Sequence, residues 1–153
     1  MAAPIIMVVL LTAPFAMVRL IELVTERKRD RTNAAAVGLA LLFVFTGSGH
    51  FVDAESMTQM LPEWVPGRLL IVYITGVLEF ALAAGFILRN SRRTAGWVAA
   101  VLLVLFFPAN IYAAIHHAPQ GGHAWGPGYL LIRGPLQLFI LLWDYWFLLR
   151  KNG

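Results

Sequence analysis

The chain reads as an all-α integral membrane protein. Of its 153 residues 59% are apolar and only 13% charged, and the mean hydropathy is +0.73. A soluble domain carries about a quarter of its residues as Asp, Glu, Lys and Arg. The apolar residues also gather in five stretches that approach or reach the roughly 20 residues a bilayer-spanning helix needs. Most charged residues fall between these stretches, and the links alternate in character along the chain.

The spans are expected at 4–24, 34–51, 66–88, 94–115 and 129–149. The first lacks a basic segment before it and carries Arg19 and Glu22 near its far end, so it reads as a span and not as a cleaved signal. ERKRDR (26–31), RNSRR (89–93) and the tail RKNG (150–153) are basic. VDAESMTQMLPEWVP (52–66) has three acids and no Lys or Arg, and HHAPQGGHAWGPG (116–128) has neither cation. Lys and Arg accumulate on the cytoplasmic side of a membrane, so the expected arrangement is N-terminus out and C-terminus in the cytoplasm. The net charge of +4 is accounted for by these links, with no footprint for nucleic acid. The whole chain, 1–153, forms one membrane domain.

A short interfacial helix is expected near 53–61. Asp53 can cap it through its carboxylate, and Met57, Met60, Leu61 and Trp64 fall at spacings that give one apolar face. Pro62 and Pro66 end it. An irregular interfacial loop is the alternative reading.

Inside the spans, five polar side chains sit between the membrane centre and the outer surface. An ionisable group in the bilayer centre costs about 2.5–3.5 kcal/mol on insertion scales, so such groups face protein or water. At 1.5 Å per residue, Glu79 lies about 20 Å from the outer end of the third span, Asn110 about 8 Å from that of the fourth and Gln137 about 12 Å from that of the fifth. Arg133 is shallower, and His50 stands at the outer mouth of the second. Four helices thus present polar groups between the membrane centre and the outer surface, where a bundle can direct them at one cavity. Glu79 would be protonated if alone and could stay ionised beside Arg133. Pro108 and Pro135 free the carbonyls of Val104 and Leu131 at similar depth. The competing reading is that Asn110 and Gln137 merely join helices and Arg133 reaches for the headgroups. On the cytoplasmic side, Arg19 and Glu22 are three apart and pair on one helix face, with Asp144 at the same level. Gly76, Ala83 and Gly85 allow close helix contact.

Other chemistries are bounded by what residues are present. With no cysteine, thiolate catalysis, disulfide exchange and Cys-ligated metal centres are excluded. No phosphate loop, dinucleotide fingerprint or Ser–His–Asp arrangement occurs. His116, His117 and His123 crowd the second outer link, and imidazole suits zinc, copper or iron. A metal site would join His50 with His116 and His117, although adjacent histidines rarely both reach one metal without a bend; the alternative is a solvated loop with one or two histidines at a helix end.

The motifs GSGHF (47–51), PEWVP (62–66), TGVLE (75–79), RRTAGW (92–97), FPANIYAAIHH (107–117) and LIRGPLQLFILLWDYW (131–146) run in order over about two thirds of the chain. In this order and spacing the sequence resembles the DoxX-like family of small bacterial membrane proteins. The resemblance implies a four-helix transmembrane bundle made of the second to fifth spans, with 4–24 as an additional N-terminal helix, in the bacterial cytoplasmic membrane. It also implies a redox-associated role connected with quinones, and maps the family's recurring polar positions onto His50, Glu79, Asn110, Arg133 and Gln137.

The expectation is therefore a polar cavity open to the outer side that admits a quinone or similar amphipathic ring. His50 or Arg133 would hydrogen-bond a ring oxygen and Glu79 would exchange the accompanying proton, with His50 and Glu79 as the catalytic pair and Asn110, Arg133 and Gln137 as ligand contacts. Electrons would come from a redox partner protein, a haem or a transition metal; a haem held by His50 would take His116 or His117 opposite. A non-catalytic scaffold for a redox partner and a small-molecule transporter are the alternative classes.

Overall fold

In the computed structural model, which describes residues 2–150, the chain is helical throughout its ordered elements. Helix α1 covers Ala2–Thr25, α2 Arg31–Val52, α3 Ala54–Thr58, α4 Arg68–Ile87, α5 Arg92–Ile115 and α6 Leu130–Asp144. A 3-10 segment, His123–Tyr129, leads into α6, and one π-helical stretch, Tyr145–Leu149, continues it. Four helices, α1, α2, α4 and α5, are long and apolar enough to cross a membrane. The last part of the basic tail, 151–153, lies outside the described residues.

The helix ends follow from local chemistry. Asp30 caps α2 by accepting from the Asn33 amide at 2.8 Å. Gly67, with φ 64°, supplies the left-handed residue that turns the chain into α4. Arg92 closes the other end of α4, donating to the Phe86 carbonyl at 2.7 Å and the Ile87 carbonyl at 3.2 Å, where the helix dipole favours a cation. The expected interfacial helix is only five residues long. Asp53 makes no side-chain cap there; its own amide closes α2 onto the Gly49 carbonyl. Thr58 ends it four residues before Pro62, and Trp64 is 82% exposed while Met57, Met60 and Leu61 turn inward.

The long helices form a closed ring: α1 packs on α2, α2 on α4, α4 on α5, α5 on α6, and α6 back on α1. The N-terminal helix is therefore a stave of the barrel-shaped bundle and not an appendage. Leu11 of α1 is fully buried, and Phe15 packs against Trp143 and Phe147 at ring distances of 5.4 and 5.0 Å. Small residues allow the approach. A Cβ on Gly38 of α2 would lie 2.1 Å from the Leu11 carbonyl oxygen, and one on Gly76 of α4 would lie 2.6 Å from the His50 Cβ. Toward the end that carries the basic links, the interior is filled by Leu39, Leu82, Phe86 and Ala99. The outward faces of the helices remain apolar, with Leu20 63%, Val77 59% and Leu131 81% exposed, as contact with lipid requires.

The ion pairs at the basic end agree with part of the expected set. Arg19 meets Glu22 at 3.1 Å, and Glu22 also takes the Arg31 guanidinium at 2.9 Å and the Arg29 amide at 2.9 Å. Asp144 does not join them. It is buried against Gly96 of α5, and neither carboxylate oxygen has a hydrogen-bond partner among the described residues.

Replacing Gly38 with Ala forces a Cβ onto backbone, which cannot yield as a flexible side chain does. Overpacking of this kind costs about 1–3 kcal/mol, more than the roughly 1 kcal/mol that Ala gains over Gly in helix propensity. Thermal unfolding in detergent should show Gly38→Ala melting below the native protein. Gly128→Ala, where nothing lies within 4 Å of an added Cβ, should melt within experimental error of it.

Candidate functional site

A polar seam runs between α2 and α4. On α2, Thr46 and His50 are one turn apart and share a face; on α4, Thr75 and Glu79 do the same. The glycine contacts above bring the two faces together, so that a Cβ on Gly47 would sit 3.2 Å from the Glu79 Cβ. His50 Nδ1 lies 2.9 Å from the Val72 carbonyl and 3.0 Å from Thr75 Oγ1. A carbonyl only accepts, so Nδ1 carries the hydrogen and Nε2 points at Glu79 Oε1, 3.4 Å away. Thr46 donates to the other carboxylate oxygen, Oε2. The Nε2 lone pair and a bare carboxylate would repel one another. An attractive contact therefore needs one proton held between them, on the imidazole or on the carboxyl. The seam sets an imidazole against a buried carboxyl, with Glu79 only 5% exposed.

The opposite wall comes from α5 and α6. Arg133 donates through Nε to Asn110 Oδ1 at 3.2 Å and through a terminal nitrogen toward the Met7 sulfur at 3.7 Å. Asn110 in turn donates to the Phe106 carbonyl at 3.0 Å. Gln137 donates to the Leu103 carbonyl at 2.7 Å, one residue before the Val104 carbonyl that Pro108 frees. Among the described residues Arg133 forms no salt bridge, and Glu79 is engaged by His50 and Thr46 instead. Several guanidinium N–H groups are consequently left facing the interior.

Between the walls lies a cavity of about 450 Å³. Its lining includes all five residues picked out by depth, His50, Glu79, Asn110, Arg133 and Gln137. Leu42, Phe43 and Ile140 form the floor, where it meets the packed interior. Met57, Met60 and Leu61, on and just after α3, cover one side of the mouth, and Gln120, Gly121 and His123 the other. Ala3 and Met7 of α1 complete the wall, a contribution for which hydropathy gives no signal.

The outer histidines part company. His116 is exposed, stacked on Tyr112 at 3.9 Å, with Nδ1 2.9 Å from the Tyr112 carbonyl. His117 has φ 51°, and its Nδ1 lies 3.2 Å from the Ala124 carbonyl. Neither lines the cavity, so the structure does not bring them to His50 as the proposed metal set requires. No group of three or more His, Cys, Asp or Glu side chains able to hold a metal occurs among the described residues. His123 is the one that turns inward. It is 4% exposed and edge-on to Tyr129, with Nδ1 2.8 Å from the Gln120 carbonyl, while its Nε2 has no partner among the described residues. Burial lowers its pKa, the Gln120 hydrogen bond opposes that shift, and the Arg133 charge adds to it.

A family model described as a domain of unknown function, DUF8561, matches residues 39–148, from the middle of α2 to the end of the helical region. No curated protein and no solved structure matches the chain.

Two outcomes follow from this geometry. Gln137→Leu removes the interhelical hydrogen bond to the Leu103 carbonyl and should lower stability by about 1–2 kcal/mol, read from unfolding in detergent. The lowered pKa of His123 sets a pH dependence. The unfolded ring titrates near its ordinary value of about 6.5, so the neutral ring's contribution is complete above that pH and is lost as pH falls toward the folded-state pKa. Between pH 7.5 and 5.5 the native protein should lose melting temperature relative to His123→Phe. An unchanged pH slope in His123→Phe would refute the assignment.

Proposed function

We propose that this chain, which belongs to the DUF8561 family, is a DoxX-like protein of the bacterial cytoplasmic membrane that binds a quinone-like or other small amphipathic ligand in its outer cavity. One observation carries this reading: polar side chains from four helices converge on one cavity of about 450 Å³ with otherwise apolar walls. Small-molecule sites have this character, at about 300–1,000 Å³ with a few placed polar groups. The resemblance to DoxX-like proteins rests on the sequence motifs alone.

In this proposal the chain crosses the bilayer five times, with the N-terminus outside and the C-terminus inside. Helix α6 and the π stretch together run from Leu130 to Leu149, long enough at about 1.5 Å per residue to span roughly 30 Å. Two of the basic links meet at one end, where Arg89 contacts Asp30 at 3.1 Å, as expected of links on one side of a membrane. An aromatic ring enters past Met57 and Met60, and Arg133 donates to a ring oxygen. The His50–Glu79 pair gives up or receives the proton that accompanies a change in the ligand's charge. The pair moves protons only; electrons belong to a redox partner protein. The packed residues beneath the cavity, Leu39 and Phe86 among them, weigh against a transport path.

The test is to extract and identify whatever co-purifies in mild detergent, then titrate a short-chain quinone while following thermal stabilisation. The native protein should saturate. Arg133→Met removes a charged hydrogen bond worth about 1.5–3 kcal/mol and should weaken binding roughly ten- to hundredfold. Glu79→Gln should bind within a few-fold of native. Absence of saturable binding in the folded native protein, or an Arg133→Met protein that binds as tightly, would refute the ligand site and favour a scaffold role.

A further inference from the structure

A second concavity, of about 310 Å³, opens at the opposite end of the bundle. It is lined by Asp30 and Thr32 at the start of α2, Arg89, Arg92 and Arg93 around the α4–α5 link, and Phe147 and Leu148 of the π stretch. Three arginines face one aspartate, which leaves two positive charges in excess. The arginines are not equivalent. Arg92 is 8% exposed and spent on structure, with its bonds to the Phe86 and Ile87 carbonyls and to Asn33 Oδ1 at 3.0 Å. Arg89 reaches Asp30 in an exposed ion pair, which contributes little to stability. Arg93 is exposed and makes no hydrogen bond or salt bridge among the described residues. Directly beside the pocket, lipid-facing apolar side chains continue outward, with Ile87 51% and Leu88 62% exposed.

Positive charge needed only to orient the chain has no reason to line a concavity, and the ERKRDR link shows the difference: Arg27 and Lys28 are exposed and lie outside the pocket. Guanidinium groups match phosphate oxygens in geometry and charge, and basic pockets between membrane helices on the inner side hold anionic headgroups. We propose that this pocket binds a phosphate group, that of an anionic phospholipid whose acyl chains lie along the apolar ends of α4 and the π stretch. Arg93 and Arg89 contact the phosphate, Thr32 is placed to donate to it, and Arg92 holds the pocket's shape. The inference rests on the apolar helices lying in a membrane and is independent of the outer cavity and its ligand.

The experiment is native mass spectrometry of the detergent-purified chain with added phosphatidylglycerol, phosphatidylcholine of the same acyl chains, or inorganic phosphate. Phosphatidylglycerol should be retained at least about tenfold better than phosphatidylcholine, and phosphate at equal concentration should not displace it. At about 1 kcal/mol for each basic residue near a headgroup, Arg93→Gln should weaken retention about fivefold and the Arg89→Gln/Arg93→Gln pair roughly 25-fold. Both side chains are exposed, so melting should confirm that the variants fold. Arg93→Lys should keep most of the affinity, and Arg27→Gln/Lys28→Gln should change it less than about twofold. Equal retention of the two lipids, or an equal loss in the Arg27/Lys28 control, would overturn the proposal. Displacement by phosphate at equal concentration would assign the pocket to a soluble phosphate and overturn the lipid.

Discussion

The contact between α2 and α4 is the constraint on which the rest depends. Gly47 and Gly76 let the two backbones approach so closely that an added Cβ at either position would touch the other helix at 3.3 Å or less. That approach puts His50 Nε2 3.4 Å from Glu79 and gives both polar side chains hydrogen-bonding partners within the seam, from Thr46, Thr75 and the Val72 carbonyl. Without it, the Glu79 carboxyl would lose both His50 and Thr46 as partners, and a buried carboxyl that loses its partners carries a desolvation penalty. Small residues here are a condition for placing ionisable ones.

The two ends of the bundle then divide the work. Toward the basic links, small and aliphatic side chains close the interior, and α1 completes the ring by pressing Leu11 against Gly38. Toward the other end, the helices are held apart by longer polar side chains that bond sideways: Arg133 to Asn110, and Gln137 to the Leu103 carbonyl. Those bonds keep open a space with apolar walls, and they leave part of the Arg133 guanidinium without a protein partner. Packing and polarity thus set where the cavity begins and what it presents.

Much of this was legible from the residues. Of the five spans expected from hydropathy, four coincide with helices long and apolar enough to cross a membrane, because a run of about 20 apolar residues has few other folded uses. Counting residues from the span ends placed His50, Glu79, Asn110, Arg133 and Gln137 between the membrane centre and the outer surface, and all five line one cavity. Depth along a helix is fixed by its rise, which sequence carries. The order of helices around a ring is not, so α1 gave no sign that Met7 would reach Arg133, and Glu79 could not be matched to His50 in preference to Arg133. The outer histidines show the same limit. His116 and His117 sit at a helix end, His116 stacked back on Tyr112 and His117 at a backbone turn with φ 51°, and neither lines the cavity. His123, seemingly one more loop residue, is carried inward against Tyr129. The matched family extends from residue 39 and leaves α1 out, although the cavity wall includes it.

The account's central claim is that the five convergent polar residues mark one ligand site. Photolabelling with a short-chain azidoquinone, followed by peptide mapping, tests it most directly. Labelling should saturate, be competed by unlabelled quinone, and fall on cavity-wall segments around Thr46–His50, Val72–Glu79, Phe106–Asn110 and Tyr129–Gln137. Labelling that does not saturate and spreads over lipid-facing positions such as Leu20, Val77 and Leu131 would contradict it.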